Sequence, residues 1–197
     1  MKLLANRKLL FVLTALVIII VVYFIIAYNG FVNKDENVKK QWNEVQNTYQ
    51  RRLDLIPNLV SIVKGSSDYE KEVLQKLVEA RAKAGSLDLT GGVTYNNYQQ
   101  QEQAQAEIVN SMNKTLAVLE NYPDLKTTRS YIDLMAQLKG TELRIKTARK
   151  DFNGSVAEYN VAVRNFPSGI VARVFGFKQK EGFKSDAGDD IPPEVKF

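Results

Sequence analysis

The chain has no cysteine and no histidine among its 197 residues, and these two absences remove most of the side chains on which enzymes run. There is no thiolate nucleophile, no imidazole acid or base, no Ser-His-Asp triad, no zinc site of the usual kind and no c-type haem attachment. Disulfides are excluded too, which leaves the redox compartment open. Chemistry would fall to carboxylates, lysine or tyrosine, so the expectation is no enzyme, no cofactor and no metal. A block of one charge is also missing. The net charge is +5, but Lys and Arg alternate with Asp and Glu, and no basic run is interleaved with stacking aromatics, so no nucleic-acid partner is expected. No stretch shows the two-residue alternation of a strand.

One uninterrupted apolar run is present. Leu9 to Ala27 reads LLFVLTALVIIIVVYFIIA, apolar apart from Thr14 and Tyr23, with no charge between Lys8 and Lys34. As a helix it crosses about 30 Å of hydrocarbon. Lys2, Arg7 and Lys8 imitate the start of a signal peptide, but the run exceeds the roughly 7 to 15 residues of a cleaved h-region, and Ile25-Ile26-Ala27 is a poor cleavage site. The reading is an uncleaved signal anchor of a single-pass protein, with Tyr23 and Tyr28 at the headgroup level. Cations flank it almost evenly, Lys2, Arg7 and Lys8 against Lys34, Lys39 and Lys40, and the expectation is N-terminus inside, body on the extracytoplasmic side. The chain then divides into a basic tail (1–8), the anchor (9–27), a helical body (28–183) and a tail (184–197) whose Asp and Pro content reads as disordered.

The body is patterned for long helices. Val38, Trp42, Val45, Tyr49, Ile56, Leu59 and Val63 alternate steps of four and three, with Arg52 in the one missing place; the seam ends at Gly65. Pro57 removes the amide that would bond to Leu53, and a kink is expected there. Ser67-Asp68-Tyr69-Glu70 is a capping box for a second helix through Val73, Leu74, Leu77, Val78 and Ala84 to Gly85. Ser86 to Asn97, with Gly91-Gly92, reads as a flexible connection. A third helix spans Tyr98 to Asn121; its Gln-rich start reads as a solvated face, and Ile108, Met112, Thr115, Leu119 and Tyr122 restore the repeat before Tyr122-Pro123-Asp124 breaks it. In the fourth, Tyr131, Met135, Leu138, Glu142, Ile145, Arg149, Phe152, Val156, Tyr159, Val163 and Phe166 alternate four and three without a slip. The expected fold is all-α: a transmembrane helix followed by an up-down antiparallel four-helix bundle.

Three charges interrupt the seams: Arg52, Glu142 and Arg149. Burying any of them unpaired costs several kcal/mol, so they are expected as a buried ion-pair set. If the first and fourth helices are antiparallel, positions whose numbers sum to about 190 face each other. Arg52 is then level with Glu142, and Arg149 lies about two turns further along, within reach of Glu44 or Asp151. Register specification explains such a set better than catalysis. After Pro167, the segment with Phe166, Ile170, Val171, Phe175 and Phe177, punctuated by Arg173 and Lys178, must either cap the base of the bundle or lie at the membrane boundary. Packing on the protein is the preferred reading.

The residues also carry a family resemblance. Gln50-Arg51-Arg52-Leu53-Asp54-Leu55-Ile56-Pro57-Asn58-Leu59-Val60 with Val63-Lys64-Gly65 resembles the signature of the LemA family of bacterial membrane proteins. Glu79-Ala80-Arg81, Glu120 to Lys126, Gly140-Thr141-Glu142, Ala148 to Asn153, Tyr159-Asn160 and Phe166-Pro167 through Gly176-Phe177 follow in order, so the resemblance covers about residues 28 to 183. It implies an N-terminal anchor, a four-helix bundle, a bacterial cytoplasmic (inner) membrane location and no catalytic residues to carry over. Relatives are associated with membrane organisation, including magnetosome formation, and with neighbouring membrane peptidases. The expected function is a non-enzymatic membrane-anchored scaffold acting through self-association as a homo-oligomer, or through association with a membrane-protein partner, with the lipid bilayer as its surface. The alternative is an accessory or substrate-recognition subunit of a membrane enzyme such as a protease.

Overall fold

The computed structural model describes residues 2–65, 71–87 and 95–183. Every regular element among the described residues is helical: α1 (Lys2–Lys64), α2 (Lys71–Gly85), α3 (Tyr95–Leu119), the single turn α4 (Pro123–Lys126), α5 (Arg129–Arg164) and α6 (Ser168–Phe175). The anchor and the first seam form one unbroken helix of 63 residues. α5 has 36 residues but stops at Arg164, so Phe166 falls beyond it. α3 starts at Tyr95 and takes in the end of the expected flexible connection. The capping box at Ser67 to Glu70, residues 88–94 of that connection and the tail from Lys184 lie outside the described residues. The apolar segment after Pro167 folds as α6, which the sequence reading treated as a segment without assigned structure.

The chain divides into two compact units, residues 39–152 and residues 1–38 with 153–197; α1 and α5 contribute to both. In the unit of residues 39–152, the core draws Leu53, Ile56, Leu59 and Val63 from α1, Leu74, Leu77, Ala80 and Ala84 from α2, Ala104, Ile108, Met112 and Leu119 from α3, and Leu134 and Leu138 from α5. On α2, Val78 faces outward while Ala80 is buried, because the buried stripe follows steps of three and four from Leu74 to Leu77, Ala80 and Ala84. In the other unit, Phe31 of α1 and Val171 and Ala172 of α6 are buried together, with Tyr23, Phe24, Ala27, Ala162, Val163 and Phe177 packed around them. α6 ends in a Schellman motif: Gly176 is left-handed at φ 77°, its N–H donates to the Arg173 carbonyl, and the Phe177 N–H donates 2.9 Å to the Ala172 carbonyl.

Pro57 sits inside α1, which continues to Lys64. Its missing amide leaves the carbonyl of Leu53, four residues back, without the usual helical donor. Arg81 of α2 supplies a replacement: its Nε–H donates 3.0 Å to the Leu53 carbonyl. A proline in one helix and an arginine in the next are therefore two halves of one hydrogen bond. Removing the donor, as in Arg81→Met, should cost about 1 to 3 kcal/mol, the penalty for an unsatisfied buried carbonyl. In a Pro57→Ala background the restored amide can serve Leu53, and the same Arg81→Met change should cost less than half as much. Denaturant unfolding of the four chains of this double-mutant cycle measures the difference; equal costs in both backgrounds would show that the pair is not coupled.

Candidate functional site

The side chains that could act chemically within residues 39–152 gather in a polar layer crossing the core. Arg52, at a seam position of α1, is 4% exposed in its side chain. Its Nε–H donates to Oε1 of Glu142 on α5 at 2.8 Å, its Nη2 to Oε2 of the same carboxylate, and its Nη1 to Oε1 of Gln105 on α3 at 2.8 Å. The planar guanidinium fork suits this bidentate pairing. The Tyr49 ring lies beside it, with the guanidinium carbon 5.8 Å from the ring centroid. Glu142 is not buried; its side chain is 42% exposed. Arg149, about 23% exposed, meets Glu102 of α3 at 3.4 Å, a partner on a helix that the two-helix register argument left out.

The reason lies in which stripe of α5 turns inward. The buried positions are Leu134, Leu138, Thr141, Ile145, Ala148, Phe152, Ser155 and Tyr159, with Val156 at the margin of the same stripe. Leu138, Ile145, Phe152, Val156 and Tyr159 are buried as the apolar spacing expects, whereas Leu134, Thr141 and Ala148 take the inward places expected of Met135, Glu142 and Arg149. Thr141 and Ala148 are small and admit a close neighbouring helix, while the larger Glu142 and Arg149 sit at the edge of the stripe, where each reaches a charged partner and keeps contact with water. On α3, the Gln-rich start is likewise part of the seam. Stepping back from Ile108 by three, four and three reaches Gln105, Gln101 and Tyr98, all buried. Gln101 Oε1 and Gln105 Nε2 are buried with no hydrogen-bond partner among the described residues, an acceptor and a donor one helical turn apart. Arg51, Thr141 and Arg144 line two adjoining shallow depressions of about 300 and 320 Å³. No group of three or more acidic side chains able to hold a metal occurs among the described residues.

The other unit holds the apolar segment. Val171 is fully buried and Phe177 packs partly against the cluster around Phe31, while Phe166, Ile170 and Phe175 are exposed, Phe166 at 87%. Phe166 escapes burial because α5 ends before it. The segment therefore divides between the two expectations: one face packs on the protein, and the other, Phe166, Ile170 and Val174 at steps of four with Phe175 beside them, stays open. The Tyr28 ring contacts both Phe175 and Phe177, at centroid distances of 4.9 and 5.7 Å. An open apolar groove of about 450 Å³ runs along Ile20, Val21, Phe24, Ile25, Tyr28 and Phe175.

Beyond Phe177 the chain runs to Phe183 without regular secondary structure and is held by two asparagines of α5. Asn160 donates 2.7 Å from Nδ2 to the Lys180 carbonyl and accepts the Lys180 N–H at Oδ1, 2.8 Å. Asn153 does the same to Phe183, at 3.1 and 2.8 Å. Lys180 also pairs with Asp35 of α1 at 2.8 Å and stands 5.3 Å from the centroid of the Tyr159 ring. Burial, and then the negative charge of Asp35, push the Tyr159 phenol above the ordinary tyrosine range. The sequence reading met Asn153 and Asn160 only as family matches, and missed the roles of Gln101, Gln105 and Arg81. The seam spacing carried a signal for the two glutamines.

Residues 41–197 match the family model described as LemA family. The chain is similar to magnetosome protein MamQ of Magnetospirillum gryphiswaldense, 26% identical over 183 residues, spanning 84% of this chain and 67% of that protein. It is also similar to magnetosome protein MamQ 1 of Paramagnetospirillum magneticum, 24% identical over 194 residues (89% and 71%), and to protein LemA of Metamycoplasma hominis, 22% identical over 179 residues (85% and 74%).

The polar layer makes a measurable demand. Glu142→Ala strips the carboxylate from a guanidinium that is itself buried, and should destabilise the chain by about 2 to 3 kcal/mol. That is below the roughly 3 to 5 of a fully buried pair, because water already reaches this carboxylate. Arg52→Met with Glu142→Ala removes the stranded charge and should recover at least half of the loss. Chemical unfolding in detergent followed by circular dichroism tests both; a double variant no more stable than Glu142→Ala alone contradicts the account.

Proposed function

The chain belongs to the LemA family, and on that premise we propose that it is a non-enzymatic, membrane-anchored helical scaffold that works by association with copies of itself and with other membrane proteins. The single observation that carries the reading is α1. From Leu10 to Val22, and again at Ile25 and Ile26, this helix exposes its apolar side chains, and from Val38 to Val63 the same helix is a buried seam. An exposed run of that length suits hydrocarbon and not water. The open apolar side chains at and before α6 support a second contact with the membrane: Phe166, ahead of the helix, with Ile170 and Val174 on it, entering the headgroup boundary, and Arg173 and Lys178 near anionic lipid. For residues 39–152 we read an up-down four-helix bundle, supported by a core drawn from α1, α2, α3 and α5. The polar layer specifies register in this reading and performs no chemistry. Relatives named magnetosome proteins favour work on membranes over catalysis.

We place the anchor in the bacterial cytoplasmic membrane with the body on the extracytoplasmic side. With no native cysteine to interfere, single probes test this: a membrane-impermeant maleimide applied to intact cells should label Gln103→Cys on exposed α3 and spare Ala5→Cys in the leading tail until the cells are lysed. The reverse pattern would place the body in the cytoplasm. Mass measurement of the detergent-solubilised chain should give a species larger than a monomer. A strict monomer that crosslinks to no partner in cells would refute the scaffold reading.

A second reading, an accessory subunit that presents substrate to a membrane protease, is favoured by the depressions at Arg51 and Arg144, where two exposed guanidinium groups flank one surface able to receive an acidic segment. Proteolysis that proceeds at the same rate with and without this chain rejects it.

A further inference from the structure

The grip of α5 on the chain's own C-terminal segment has the properties of a peptide-binding site. Asn153 and Asn160 are seven residues apart, about 10.5 Å along a helix, and the two residues they hold, Lys180 and Phe183, are three apart, about 10 Å of extended chain. The two spacings match. Each amide side chain satisfies both the N–H and the C=O of one residue, as a neighbouring strand would, so the pair works as a ladder that reads extended backbone. Side chains are read separately. Asp35 and the Tyr159 ring select the cation at Lys180, each member of the Lys180–Asp35 pair being about one-fifth exposed. Position 182 favours glycine: a Cβ built there would stand 2.7 Å from Asn153 Oδ1, so a larger residue would displace the amide that holds Phe183. Phe183 is 6% exposed.

Asp35 comes from α1 and Asn153, Tyr159 and Asn160 from α5, whereas α6 delivers the segment through Gly176. The segment it holds carries a Lys-x-Gly-Phe pattern, and a second copy of this chain presents the same pattern. We propose that the face formed by Asp35, Asn153, Tyr159 and Asn160 is a receptor for the extended segment 180–183, closed in one molecule by its own segment and exchanged between two molecules to link them. The contacts are identical in the closed and exchanged forms, so exchange costs little beyond the loss of the intramolecular connection, and confinement of many copies to one membrane favours it. The proposal deepens the self-association reading and rests on it.

Two full-length variants in detergent, neither able to close on itself, provide the test. One carries Lys180→Glu and Phe183→Ser, leaving an intact receptor; the other carries Asn153→Ala and Asn160→Ala, leaving an intact segment. Each alone should run as a monomer with helical circular dichroism equal to the parent, and an equimolar mixture should form a one-to-one heterodimer. A fluorescent peptide FKQKEGF, residues 177–183, should bind the first variant at least tenfold more tightly than the parent chain, whose own segment competes. The same peptide with Gly182→Ala should lose at least tenfold. A mixture that stays monomeric, or a peptide that does not distinguish the variants, overturns the proposal. If the first variant self-associates alone as well as the parent does, the exchange is overturned and the self-association reading survives; a parent chain monomeric at every concentration overturns both.

Discussion

A buried guanidinium has to be satisfied on several sides at once, and in residues 39–152 that requirement falls on Arg52. Its donors point in fixed directions within one plane, so partners cannot follow it if a helix slides. Glu142 must sit on α5 and Gln105 on α3 at the level of Arg52 on α1. Sliding any one of the three helices by a turn, about 5.4 Å, breaks at least one of these bonds and leaves a charge or an amide stranded in the core. Apolar seam residues cannot impose this by themselves, because a repeat of leucine, isoleucine and valine packs nearly as well one heptad along. The position of Glu142 at the stripe's margin follows from the same demand: its carboxylate reaches inward to the arginine while its remaining surface keeps contact with water, so only one member of the pair bears the full cost of burial.

The two other specific polar features obey one rule. Where the backbone loses its regular partner, a side chain from a different element supplies the missing group. Pro57 withdraws an amide from Leu53, and Arg81 provides an N–H from α2. The run to Phe183 has no strand beside it among the described residues, and Asn153 and Asn160 provide both halves of what a strand would offer. Such bonds fix the alignment of two segments without asking for a complementary side chain on the far partner.

That rule explains what was legible in the sequence. The seam of α1 was visible residue by residue, since Val38, Trp42, Val45, Tyr49, Ile56, Leu59 and Val63 are all buried, and Arg52 stood out as the one charge in an apolar repeat. Its meeting with Glu142 followed from counting along antiparallel helices. Arg81, Asn153 and Asn160 gave no such signal, because their partners are backbone groups that every residue possesses. On α5 Leu138, Ile145, Phe152, Val156 and Tyr159 follow the apolar spacing, and the alternate places differ by one position for a different reason: apolar periodicity favours large side chains such as Met135, whereas Thr141 and Ala148 are buried because they are small enough to let a helix approach. Gln101 and Gln105 were lost to composition, since a glutamine tract resembles a solvated face until the spacing back from Ile108 is counted.

In the unit that contains the anchor, polarity changes within one helix while its secondary structure does not. A helix satisfies its own backbone whatever surrounds it, so no turn or break accompanies the change, which is written in the side chains alone. Tyr28 meets Phe175 and Phe177, Phe31 stacks on Phe177 at 5.0 Å, and one turn further on Lys34 approaches Glu158 at 3.8 Å and Asp35 holds Lys180. Aromatic contacts thus give way to ionic ones over about two turns of α1. The segment leaving α6 crosses the same gradient, with Phe177 among the rings and Lys180 among the charges, so its register on α1 and α5 is fixed by polarity as well as by the asparagine ladder. Sliding the segment by one residue would take Lys180 out of reach of Asp35 and put a side chain against the Asn153 amide in place of Gly182.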